Sequence, residues 1–291
     1  MESSAALFLN AVVAGLLLAG FYAAVAVGIS IAFGMLDIVN IAHPGFIILG
    51  SYAALMINQW LGIDPIVSSL LLSPAFFLLG FVLYRIFYLA FERRGQESLR
   101  GLAFFFGILF ITEVCLILIY GVDYQLVKTA YSEMTWRLGA VDFPLRLLVP
   151  CAVSVVMVVG LQVFLSHTFF GRAVLAVSQD QLALRIMGVN PVRVKEFAFA
   201  LSIATAGVAG AFLIVIQPVQ PSIGREFIGL AFAICVLGGL GSIYGTLAGA
   251  VILGIAESFT ATYFGPSWAP AVSFGLLLLT LAFRPAGLFG R

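Results

Sequence analysis

The chain has 291 residues, 63% hydrophobic and only 9% charged, with a formal net charge of +1. An ordinary soluble domain carries about 25% charged residues, and a chain this poor in polar groups cannot cover its outside in water. A soluble globular protein is therefore excluded, as are a nucleic-acid binder, which needs a basic surface, and a disordered chain.

The solvent must be lipid. A helix needs about 20 apolar residues to cross a bilayer core. In chain order the apolar runs are Leu7–Phe33, Phe46–Leu61, Ile66–Ala90, Gly101–Tyr120, Leu147–Leu165, Phe197–Ile216, Phe227–Leu237, Ile243–Phe264 and Ala271–Phe283. They are longer than barrel strands and do not alternate. Some are short or broken by glycine. The expected fold is all-α and polytopic, with about eight or nine transmembrane helices, in one transmembrane domain over 1–291. The first run is too long for a cleavable signal and lacks a basic flank, so it reads as the first span.

Sidedness follows Lys and Arg. Arg93, Arg94 and Arg100, then Arg172, Arg185, Arg193 and Lys195, then Arg284 and Arg291 fall in three segments expected in the cytoplasm. The segments Gly121–Arg146, Pro218–Glu226 and Gly265–Pro270 are then outside, and so is the N-terminus with Glu2. Trp60, Trp136 and Trp268 fall near outer span ends, as interfacial anchors do. Cys115, Cys151 and Cys235 sit in or beside apolar runs without CxxC spacing, and read as buried small hydrophobes.

Two segments interrupt the apolar pattern. Between Phe33 and Gly45 stand Asp37, Asn40, His43 and Pro44. Pro44 has no N–H and disfavours helix at His43, so the chain is expected to unwind there. It is either a short cytoplasmic turn or a broken helix beside a transport pathway, buried in protein as unwound backbone in a membrane must be. The second segment is Gly238, Gly239, Gly241, Ser242 and Gly245. Gly241, Gly245 and Gly249 fall at i, i+4, i+8, a surface for close helix packing. Ser202, Ala206 and Gly210 repeat the spacing. Packing or lining a pathway are both open for these glycines.

Glu113 and Glu257 fall inside apolar runs. Each costs about 2.5–3.5 kcal/mol or more if it faces lipid ionised. They must turn inward, as cross-helix hydrogen-bond acceptors or as a substrate or proton site. In the loop Ser166–Glu196, Ser178 and Gln181 make a capping box. A short helix should follow through Met187, with Gly188 and Pro191 as its stop and Leu182 and Ile186 on one face. Two turns do not hold alone, so that face needs a membrane surface or a groove on a partner. No phosphate-binding P-loop occurs, and the two lysines, Lys128 and Lys195, follow no such glycine motif. With two histidines, His43 and His167, and no nucleophile–base or metal spacing, no catalytic residue, metal or cofactor is expected.

These segments also carry a resemblance. Ala26–Gly28, Phe33–Gly34, Asn40–His43 and Leu49–Tyr52, then Phe170–Ala173, Gln179–Asp180 and Met187–Asn190, then Val236–Ser242 with Gly245, Gly249, Gly254 and Glu257, and the tail Arg284–Gly290 resemble the permease subunits of branched-chain amino-acid ABC importers of the LivH type. The match runs in order along essentially the whole chain and departs at Pro44, where the family usually has Gly.

The resemblance implies a permease without enzymatic activity in a bacterial inner membrane. It implies a second homologous permease (LivM type), two ABC ATPases (LivG and LivF type) and a periplasmic substrate-binding protein. Family members carry branched-chain amino acids, urea or short amides, or aromatic acids. The pathway residues expected on this basis are Asn40, His43, Gly238, Gly239, Gly241, Ser242, Glu257 and Glu113. Those expected to couple to an ATPase are Arg172, Asp180, Leu182, Arg185, Ile186 and Gly188. The competing expectation is a stand-alone secondary transporter using Glu113 or Glu257 as proton carriers.

Overall fold

The computed structural model describes residues 4–95, 97–139 and 141–290. Glu2 and Arg291, assigned above to opposite sides of the membrane, lie outside the described residues. The helices are α1 (Ser4–Ala32), α2 (His43–Leu61), α3 (Pro65–Ala90), α4 (Glu97–Tyr120), α5 (Leu145–His167), α6 (Phe169–Val177), α7 (Gln181–Ile186), α8 (Pro191–Ile216), α9 (Gly224–Gly238), α10 (Ile243–Tyr263) and α11 (Ala269–Phe283). Among the described residues, eight helices are long and apolar enough to cross a membrane, α9 and α11 counted with the single turns that precede them. The ninth, α2, has 19 residues, about 28 Å at 1.5 Å per residue. It carries His43, Ser51, Asn58 and Gln59 and lies largely against protein rather than lipid.

α8 is the axis of the bundle. It is almost wholly buried, packed by α1, α2 and α3. Lipid is as apolar as leucine, so close packing and hydrogen bonds must hold helices together here. The Phe76 ring lies on Gly207, Gly50 lies on the Gly207 backbone, and Gly210 lies beside the Ile47 carbonyl. Ser51 Oγ donates to Gly210 O at 2.7 Å, and Ser202 Oγ to Gly28 O at 2.7 Å. The Ser202, Ala206, Gly210 stripe is thus a packing face. The outer faces of α3, α4, α5 and α11 expose Leu70, Leu78, Phe110, Leu118, Val156 and Leu278, as lipid contact requires.

The two ends differ in charge. One end, the basic end, gathers a single turn at Glu92–Arg94, then α6, α7 and the tail after α11. Arg93, Arg94, Arg172, Arg185, Arg193 and Arg284 belong to it. The other end carries a hairpin not foreseen above, β1 (Thr135–Leu138) paired antiparallel with β2 (Val141–Pro144). Lys128, Arg137, Arg146 and Arg225 are the basic residues of this end. Asp142 N donates to Asn10 Oδ1 at 2.9 Å, tying the hairpin to the start of α1. Tyr131 OH donates to Asp64 Oδ1 at 3.1 Å, and burial, with this carboxylate facing it, raises the phenol above its ordinary pKa. Trp60, Trp136 and Trp268 all sit exposed at this end, at the depth where interfacial tryptophans lie.

Three sequence expectations are corrected. Cys115 is exposed on α4 rather than buried, and Cys151 is half-buried; Cys235 alone is buried, with Sγ 3.3 Å from the Ala26 carbonyl. Gly241 is not on a helix face with Gly245 and Gly249, because it precedes α10 in a turn with φ 79°. His43, Pro44 and Gly45 are helical. The unwinding runs over 33–42, and α2 opens on the His43–Pro44 turn, where the missing N–H of proline costs nothing.

Candidate functional site

The two interrupted segments meet at the basic end. A Cβ on Gly34 would collide with the Gly241 backbone, so the break after α1 and the break between α9 and α10 lie backbone to backbone. Gly239 and Gly241 have φ values of 101° and 79°, which only glycine adopts without strain. Gly238 packs on Gly245, and Gly249 on Ile234 and Gly238. Ser242 caps α10 by accepting from Gly245 N at 3.0 Å. Gly238, Gly239, Gly241 and Ser242 therefore belong to one close-packed junction.

The 33–42 break is not a solvated turn. Met35, Leu36, Ile38, Asn40 and Ala42 are buried, while Asp37 projects with φ 58°. Asn40 is 2% exposed and His43 is wholly buried. The Asn40 amide has no hydrogen-bond partner, and the His43 imidazole has no well-formed hydrogen bond, only a contact with the Val25 backbone. Gly28 makes the space for the ring, since a Cβ there would run into it. A buried polar group left without a partner costs on the order of 1–3 kcal/mol, so the Asn40 amide is the least satisfied group of this break.

The intramembrane carboxylates lie apart from this junction and from each other. Glu113 on α4 accepts two bonds from Arg225 on α9, from Nε at 2.9 Å and Nη2 at 2.6 Å. The sequence reading placed Arg225 in an outer loop and recorded no basic partner for Glu113. Arg225 lies two residues before the apolar run Phe227–Leu237, and only the start of α9 at Gly224 brings it onto the helix. Glu257 accepts from Tyr22 OH at 2.7 Å across α1 and α10, the cross-helix bond foreseen as one of its two roles. A third group went unread. Lys195 is 7% exposed and donates to Glu92 Oε1 at 2.6 Å, and Tyr84 OH donates to Glu92 Oε2 at 2.8 Å. Glu196 beside it faces Arg85 at 3.7 Å. Asp37, Glu92, Gln181 and Lys195 border one cavity of about 370 Å³, so the first break, the end of α3 and the start of α7 share a space.

The loop after α5 is more ordered than the sequence suggested. α6 starts at the Thr168 cap, whose Oγ1 accepts from Gly171 N at 3.0 Å, and it includes Arg172. α7 starts two residues later than expected. Its cap is Asp180, which accepts from Leu182 N at 2.8 Å and Ala183 N at 3.0 Å, while Ser178 Oγ turns back to Leu175 O. An aspartate competes well with a serine for this position. Gly188 follows with φ 78°, as a helix stop does. Leu184 is buried, whereas Leu182 and Ile186 are 66% and 80% exposed, with Arg185 between them.

A family model described as branched-chain amino acid transport system / permease component matches residues 11–281. The chain is 30% identical to the high-affinity branched-chain amino acid transport system permease protein BraD of Pseudomonas aeruginosa, over 98% of this chain and 96% of that protein. It is 29% identical to the corresponding permease LivH of Escherichia coli, with the same coverage. It is also similar to LivM of Escherichia coli, 27% identical over 92% of this chain and 67% of that protein. No solved structure matches.

Proposed function

The chain belongs to the family of branched-chain amino acid transport permease components, and from that premise we propose how its parts divide the work. It is a multi-pass membrane protein and the permease component of an ABC importer, without catalytic activity of its own. We assign it one transmembrane domain, a pathway shared with a second permease related to LivM, and a substrate drawn from branched-chain amino acids or related small solutes. ATP hydrolysis falls to separate ATPases, and delivery to a binding protein on the outer face of a bacterial inner membrane. The basic end faces the cytoplasm, by the excess of arginine there.

The observation that carries this reading is α7. A six-residue helix, capped at both ends, holds Leu182 and Ile186 bare at the basic end. Such a helix is not stable alone in water, and its apolar side fits a groove on a partner. Arg172, Asp180, Arg185 and Gly188 shape and surround it, and charges at a rim steer docking more than they hold it. Burial of each apolar side chain is worth about 1.5–3 kcal/mol, so Leu182→Asp with Ile186→Asp should weaken ATPase binding by well over about tenfold. Insertion of the permease should be unchanged. Co-purification of the ATPase at the wild-type level would place the docking surface elsewhere.

A further inference from the structure

Below the hairpin end, α1, α9, α10 and α11 enclose a chamber of about 140 Å³. Glu226 and Glu257 both line it, and no Lys, Arg or His does. Glu226 makes no hydrogen bond or ion pair among the described residues, and Glu257 has one oxygen held by Tyr22 and the other without a partner. Ser273 on α11 also lines the chamber. It is 3% exposed, and its hydroxyl has no hydrogen-bond partner among the described residues. The rest of the wall is apolar and aromatic, with Phe227 and Phe274 among it.

Gln217 and Glu226 border this chamber and also a wider cleft of about 520 Å³, lined by Tyr124, Pro218 and Ile223 as well. Tyr124 and Pro218 flank the Gln125–Val219 bridge at the hairpin end. The chamber is thus the inner room of a cleft that opens on the side away from α7.

We propose that this chamber binds the ammonium group of a small amphipathic amine, and that the amine is the transported amino acid. Both carboxylates border this space with no basic side chain beside them, and each attracts a cation that enters it. Aromatic faces add to the attraction for an ammonium. The unpartnered Ser273 hydroxyl can accept one of the three ammonium N–H bonds. The apolar wall takes an aliphatic side chain, and the ligand's own carboxylate stays toward the Gln217 amide and the wet cleft. That the amine is an amino acid rests on the proposed function. That the chamber selects an ammonium does not.

The test uses the full chain in nanodiscs, with Cys115, Cys151 and Cys235 replaced by alanine and Ser273→Cys introduced. The rate of modification is measured with an aminoethyl thiosulfonate reagent, which carries an ammonium, and with its sulfonatoethyl counterpart. The cationic reagent should react at least about tenfold faster than the anionic one, the scale on which a charged cleft concentrates an ion. Glu226→Gln with Glu257→Gln should abolish the preference, and Glu226→Gln alone should reduce it without disturbing the Tyr22 bond. Leucine should protect the thiol, and 4-methylpentanoate, which lacks the amine, should not. Equal rates for the two reagents, or a preference that survives the double substitution, overturns the ammonium site. A strong preference with no protection by leucine overturns the amino-acid assignment. A chamber that passes both tests in a protein that shows no ATP-driven uptake with its partners would stand, and the fault would lie with the importer reading.

Discussion

Glu113 and Arg225 show how a single pair changes what a carboxylate can do. Both Glu113 oxygens accept from one guanidinium, so the role foreseen for it as a cross-helix acceptor is filled by a side chain of α9. Arg225→Met leaves the carboxylate without its partner. The Arg225 side chain is 60% exposed, so solvent screening keeps the loss below that of a fully buried pair. Arg225→Met with Glu113→Met should recover most of it, as a shift in thermal unfolding of the purified protein will show. A double variant no more stable than the single would mean that the pair is not what holds α4 to α9. Gly210 supplies a second case. A Cβ there meets the Ile47 carbonyl and the Ser51 amide, and neither backbone can turn aside. Gly210→Ala should cost about 1–3 kcal/mol, read as a lower unfolding temperature, whereas Gly107→Ala, with open space around it, should cost nothing measurable. That Glu113 and Glu257 must face inward was legible from their place in apolar runs. Their partners were not, because Arg225 and Tyr22 lie far away in sequence and hydropathy says nothing about which helices touch.

Among the elements, the spans were the most legible, since lipid forces long apolar runs whatever their packing. The start of α7 was misplaced by two residues because Ser178, Asp180 and Gln181 offer overlapping caps, and only the backbone decides between them. Asp180→Ala should remove two bonds to the first turn of α7 and cost about 0.5–2 kcal/mol of local stability. Faster amide exchange at Leu182 and Ala183 would report it; unchanged exchange would mean that α7 is held by Leu184 and the body of the protein. The β1–β2 hairpin was missed because Thr135–Leu138 and Val141–Pro144 are exposed or half-exposed strands with no run long enough to show a period. The Lys195–Glu92–Tyr84 cluster was missed for another reason. Lys195 sits in a charged stretch that reads as a solvated face, yet the first turn of α8 brings it under the end of α3.

At the scale of the whole molecule, the two breaks are the feature that the sequence marked and the structure explains. Asp37, Asn40, His43 and Pro44 stood out because polar groups are expensive in lipid. Their junction with Gly238–Ser242 could not be read, since glycines that pack and glycines that line a space have the same spacing. Asn40 and His43 sit closed off inside the bundle. If the bundle opens there during transport, Asn40→Cys and His43→Cys should be inert to small aqueous reagents in one nucleotide state of the assembled importer and reactive in another. Constant reactivity in every state would mean that the route runs elsewhere, and constant inertness that these groups are only core.

The tail shapes the order in which this protein is made. Leu288 N donates to Leu237 O at 2.9 Å and Phe289 N to Gly238 O at 3.0 Å, and Gly287 lets the chain pass close to Val236 and Gly239. Gly239 N serves the Cys235 and Val236 carbonyls, but those of Leu237 and Gly238 receive their donors only from residues synthesised after α10 and α11. At a ribosome's pace of about 5–20 residues per second, α9 exists for seconds before its last two carbonyls meet these donors. The join between the two breaks is therefore the last part of the protein to set, and a nascent chain stalled before residue 288 carries an unsealed seam on its basic side.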